Sequence, residues 1–114
     1  MAATESTLGA WSATVTLPVV PVAVALLPNG NMIAWSSDSA TSFEGDIGTA
    51  PSHTLATYFN PLTGYVSQQL DTGVAADMFC PGIAYLADGR ILVNGGSSSY
   101  HTALYDPFHG TYGT

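Results

Sequence analysis

The chain has 114 residues, with one basic side chain against eight acidic ones and a formal net charge of −7 at pH 7. Arg90 alone cannot build a basic patch, which argues against nucleic acid or an anionic membrane surface as partner. Only 8% of residues are charged and 46% are hydrophobic, so the composition is not that of a disordered chain.

Residues 1–10 form a polar tail without the basic and apolar regions of a signal peptide. Residues 11–17 read as a strand, the outer strand of a preceding sheet. The most apolar run, residues 15–27, is too short to span a membrane and holds Pro18 and Pro21. Residues 21–70 then read as a four-stranded unit. An apolar run (22–27) meets Asn29-Gly30, a tight hairpin signal in which both residue types tolerate positive φ. A second run (32–35) ends in Ser36-Ser37, where neighbouring strands can approach closely. After a loop, a third strand is expected at 54–59, a turn at Asn60-Pro61, and a fourth strand at 65–70.

Residues 80–114 repeat this grammar. Gly30 aligns with Gly89 at an offset of 59 (89 − 30), and Leu27 then falls on Leu86. Asp88-Gly89 takes the place of Asn29-Gly30, runs 83–86 and 91–94 flank it, and a third strand is expected at 102–105. Further on, Asn60-Pro61 matches Asp106-Pro107 at an offset of 46 (106 − 60). The difference is a longer loop in the first copy, near residues 38–52. A period near 50 is that of propeller blades of the kelch type. The expected fold is all-β: about two four-stranded antiparallel blades of an incomplete propeller, the second with only residues 111–114 left for its fourth strand. A propeller needs roughly four to eight blades to close. The chain is therefore expected to be a piece of a longer protein. The alternative is a non-catalytic module whose copies complete a ring, a homo-oligomer serving structure or carbohydrate binding.

The single cysteine, Cys80, lies in MFCPG (residues 78–82). It is buried packing, a reactive thiol, or half of a cross-link. His101 and His109 are weighed as a copper pair, since copper accepts imidazole, against exposed loop positions. Asp38, Glu44 and Asp46 are weighed as a calcium loop against a solvated insertion. Trp11 and Trp35 are weighed as sugar-stacking platforms against blade-to-blade packing, and Tyr58, Phe59 and Tyr85 read as core or cross-strand pairs. The sequence has no zinc-type cluster, phosphate-binding loop or Gly-x-Ser-x-Gly elbow.

DMFCPGI (77–83), followed by DGRILVNGG (88–96) and ALYDP (103–107), resembles the propeller domain of galactose oxidase and the related copper radical oxidases. The upstream LPVVPVAVALLPNGNMIAWSS (17–37) and FNPLTGYVS (59–67) are similar too. The resemblance runs from about Trp11 to the C-terminus and implies the N-terminal part of that propeller. In that family the matching cysteine forms a thioether with a tyrosine. The modified tyrosine binds copper and carries a radical that oxidises a primary alcohol or sugar to an aldehyde while O₂ becomes H₂O₂. A sulfur ortho to the phenol oxygen eases electron removal and locks the ring. By this resemblance Cys80 is the thioether donor to a tyrosine outside this chain, and Phe79 and Phe43 line the substrate pocket. The copper ligands are expected beyond Thr114, with none complete within this chain, and the parent protein is expected to be secreted.

Overall fold

A computed structural model describes residues 9–42, 52–97 and 100–113. They form two four-stranded antiparallel sheets. The first runs β1 (Ala23–Leu26), β2 (Met32–Trp35), β3 (Leu55–Phe59), β4 (Leu70–Asp71). The second runs β5 (Gly82–Tyr85), β6 (Ile91–Asn94), β7 (Thr102–Asp106), β8 (Thr111–Gly113). Each sheet is an up-and-down meander in sequence order, the all-β blade pattern that the repeat implies. No helix among the described residues is long and apolar enough to cross a membrane.

The hairpin turns differ from expectation in one respect. Only the glycines of Asn29-Gly30 and Asp88-Gly89 have positive φ, +81° and +88°. Gly30 N–H donates to Leu27 O, while Leu27 N–H donates to Asn31 O. That pattern is a type I turn closed by a left-handed glycine, a three-residue loop rather than a two-residue one. The Asn29 and Asp88 side chains instead accept the N–H of Asn31 and Arg90, at 3.0 and 3.1 Å. The turns after β3 and β7 repeat another device. Asn60 Oδ1 accepts from Leu62 and Thr63, and Asp106 Oδ1 from Phe108 and His109.

One expected strand is shortened, and another stands outside both sheets. Residues 11–17 join neither sheet, and Trp11 is fully exposed rather than packed between blades. A strand needs a neighbour to take its backbone hydrogen bonds, and among the described residues none lies beside this segment. The fourth strand of the first blade is reduced to Leu70–Asp71 plus a lone bridge between Phe59 and Val66. Between them the Ser67 hydroxyl accepts Tyr58 N–H at 3.0 Å and lies 3.2 Å from the Thr57 hydroxyl. A side chain thus takes a backbone N–H that a ladder carbonyl would otherwise accept, while Ser67 N–H still donates to Tyr58 O at 2.9 Å.

The core lies between the blades. Ala25, Leu27, Ile33, Trp35 and Ala56 of the first blade join Ile91, Val93, Ala103 and Tyr105 of the second in one cluster. The offset of 59 places Ile33 opposite Leu92, the neighbour of Ile91, so the blades present opposite faces to each other. That is face-to-face stacking of successive repeats. Ile33 and Ile91 are fully buried, each stabilising by about 1.5–3 kcal/mol relative to exposure. The Tyr58 and Tyr105 hydroxyls meet at 2.8 Å across the interface. Leu26 N–H donates to the Tyr85 hydroxyl at 2.8 Å. Tyr85, expected as a core residue or a cross-strand pair, takes the second role opposite Ile91; its side chain is largely exposed and its phenolic tip links the blades.

Candidate functional site

The blade topology sorts the loops into two ends. The β1–β2, β3–β4, β5–β6 and β7–β8 turns leave one end. The β2–β3, β4–β5 and β6–β7 loops leave the other, and this end carries Cys80. The β4–β5 loop is pinned by alternate apolar side chains, since Val74, Ala76 and Met78 all enter the core. The intervening Asp77 is fully buried as well, and its Oδ1 accepts Phe79 N–H at 2.9 Å.

Two groups fix this loop from outside it. The Thr54 hydroxyl, fully buried, donates to Ala76 O at 2.8 Å and accepts Met78 N–H at 2.9 Å. Thr54 O also accepts Thr72 N–H at 3.0 Å, so one residue clamps both the entry and the exit of the loop. From the second blade, Gly96 fits beneath Asp77 and Met78. A Cβ there would lie 2.7 Å from Asp77 O and 2.9 Å from Met78 Cα.

Cys80 follows this anchored segment. It is exposed among the described residues, and it is a free thiol. Its φ is +57°, unlike any other described non-glycine residue. A left-handed cysteine is strained, and a following proline restricts it further. The strand begins two residues later, with Gly82 pairing Asn94. Phe79 is half-buried beside it. Phe43, Glu44 and Asp46 lie outside the described residues; Asp38 is buried at the exit of β2.

The two histidines are not brought together. His101 precedes β7 at the Cys80 end, where its carbonyl accepts Gly95 N–H. His109 follows β7 at the opposite end, with Nδ1 2.8 Å from Asp106 Oδ2. The five-residue strand between them spans roughly 15 Å, too far for a shared ion. Among the described residues no group of three or more His, Cys, Asp or Glu could hold a metal ion.

The ordinary charges cluster away from the thiol. Arg90 lies 2.7 Å from Asp88. Its side-chain hydrogen bond holds the Asp88 carboxyl below the usual range, and Asp88 raises Arg90 in turn. The His109 hydrogen bond lowers Asp106 in the same way. An open cleft of about 440 Å³ between the blades is lined by Leu27, Asn31, Tyr58, Asp71 and Tyr105 among others, and neither Phe79 nor Cys80 lines it.

Two antiparallel four-stranded repeats, stacked face to face with a thiol-bearing loop at one end, define a segment of a kelch-type β-propeller. No family model matches the chain. Two curated sequences do, both galactose oxidases of Gibberella zeae. Each is 42% identical over 100 residues, which cover 87% of this chain and 14% of the relative. Among solved structures, a fungal alcohol oxidase of the AA5 family, determined in complex with copper, superposes with a TM-score of 0.76. It is 38% identical and is matched over 90% of this chain and 22% of its own length. The chain is thus galactose oxidase-like, and it spans only about a seventh of the curated relatives it matches.

The small-residue pair Gly95-Gly96 that ends the second apolar run was expected to allow close approach, and Gly96 provides it against Asp77 and Met78. Thr54 was not marked by the sequence, because a threonine before a strand carries no signal until the loop it holds is seen.

Proposed function

We propose that this chain is the part of a copper radical oxidase propeller that supplies the cross-linking thiol, Cys80. The observation that carries the reading is the MFCPG loop. Its thiol is exposed on a residue forced into a left-handed conformation, at the loop end of a galactose oxidase-like blade pair. In the parent protein the sulfur bonds to a tyrosine ring carbon contributed from outside these residues. One S–H and one ring C–H are lost, one C–S bond forms, and two electrons and two protons pass to dioxygen, giving hydrogen peroxide. Copper belongs to the parent, where it supplies one-electron chemistry during oxidation of a primary alcohol or sugar to the aldehyde, with O₂ reduced to H₂O₂. Phe79 and Phe43 form part of the wall for that substrate. The lysine-free, Ser- and Thr-rich composition fits a secreted parent.

The chain alone is inactive on this reading, because its described residues supply no metal site. The test has two arms. The isolated chain, incubated with Cu(II) and primary alcohols, should release no H₂O₂ above the copper blank; sustained turnover would overturn the proposal. The same segment, transplanted in place of the matching region of the Gibberella zeae galactose oxidase, should give an active oxidase that Cys80→Ser cripples. Equal activity of the two transplants would also overturn it. Ring closure between copies remains a separate outcome. It would show as a fixed small multiple of the chain mass in light scattering across a dilution series.

A further inference from the structure

We propose that Thr54 is the positioning residue for Cys80. The inference rests on the reading of Cys80 given above. Thr54 acts on the thiol through the segment between them. Its one hydroxyl serves as donor to Ala76 O and acceptor from Met78 N–H, two backbone groups on either side of Asp77. Its carbonyl takes Thr72 N–H. The loop can then neither slide nor rotate about residues 76–78 without breaking a buried bond. Asp77 extends the clamp by one residue through its bond to Phe79 N–H. Gly96 closes the opposite side with backbone-to-backbone contact. Cys80 is the next residue, and its positive φ is the sort of strain that persists only where the surroundings over-determine it.

The chemistry needs a hydroxyl there. Valine has the shape of threonine but neither donates nor accepts, so it leaves Ala76 O and Met78 N–H unpaired in a buried place. Serine keeps the hydroxyl and loses only a methyl.

The experiment uses the isotope-labelled chain and the variants Thr54→Val and Thr54→Ser. Two signals are followed by NMR: the amide exchange rate of Met78, and the one-bond Cα–Hα coupling of Cys80, which reports the sign of φ. Thr54→Val is expected to speed Met78 exchange by about tenfold or more and to erase the positive-φ signature at Cys80. The β2–β3 ladder amides should keep their protection, and Thr54→Ser should match the wild type. A Val variant with an unchanged Cys80 signature overturns the proposal, and so does a Ser variant as perturbed as Val. Should Thr54→Val lose the ladder as well, Thr54→Ala takes its place; loss of the ladder in both overturns the positioning role. Neither signal involves copper or a tyrosine. In the transplanted segment the thioether fraction should fall with Val and hold with Ser. Absence of thioether with Thr54 intact counts against the assignment of Cys80 instead, so the two failures are separable.

Discussion

Gly95 and Gly96 offer a controlled pair. Both have positive φ, +76° and +105°, so alanine at either is strained by roughly 1–2 kcal/mol. They differ in space. A Cβ on Gly95 meets nothing within 4 Å, whereas one on Gly96 would lie 2.7 Å from Asp77 O and 2.9 Å from Met78 C and Cα. Those are backbone atoms of a loop already held by Thr54, so no flexible side chain can yield. Gly96→Ala should therefore cost about 2 kcal/mol more than Gly95→Ala, or about 3–4 kcal/mol in all. With a urea m-value of about 1–2 kcal/mol/M, the two midpoints should separate by about 1–2 M at unchanged m. Equilibrium urea unfolding followed by tryptophan fluorescence measures this, because Trp35 is buried in the same core. Equal midpoints, within about 0.5 kcal/mol, would refute the close approach of the two blades at this point.

Further outcomes follow from the same structure. Tyr58→Phe and Tyr105→Phe, combined in a double-mutant cycle, should show a coupling of about 1 kcal/mol from the inter-blade hydroxyl bond; additive effects would mean that the bond does not form. Ile33→Ala or Ile91→Ala should cost about 2–5 kcal/mol, measured by thermal or urea unfolding, because both side chains are fully buried between the blades. The Asp88 and Asp106 carboxyls are held below the usual carboxylate value of about 4 in the folded state. Their contribution is thus present above that pH and lost as pH falls through the lower folded values. Arg90→Gln and His109→Ala should flatten this small acid limb in unfolding titrations, and high salt should shrink it, since both pairs are solvent-exposed.

Much of the fold was legible because the sequence says it twice. Two copies of an apolar run, a glycine turn and a second apolar run leave little freedom, and β1, β2, β5 and β6 fall where the repeat puts them. Strand periodicity failed where side chains compete with the backbone. The fourth strand of the first blade carries apolar residues at plausible spacing, yet the Ser67 hydroxyl takes Tyr58 N–H, and only Leu70–Asp71 and one bridge pair. Residues 11–17 have strand-like composition but pair with no strand among the described residues, and pairing is a property of two segments. The turn glycines were evident, while the three-residue form of the turns was not, because Asn29 and Asp88 suit either geometry. Cys80 stood out by being single and by its pentapeptide. Its strained backbone, and the Thr54 clamp that over-determines it, depend on contacts across 24 residues that no local pattern records.

The central claim is that Cys80 is the thiol of a tyrosine cross-link in a copper radical oxidase. Intact-mass and peptide mass analysis of the segment transplanted into the Gibberella zeae galactose oxidase, produced with copper and air, tests it most directly. The account predicts a loss of two hydrogen atoms localised to a peptide pair containing Cys80, absent when Cys80 is serine. A folded, copper-bearing transplant in which Cys80 remains a free, alkylatable thiol would contradict it.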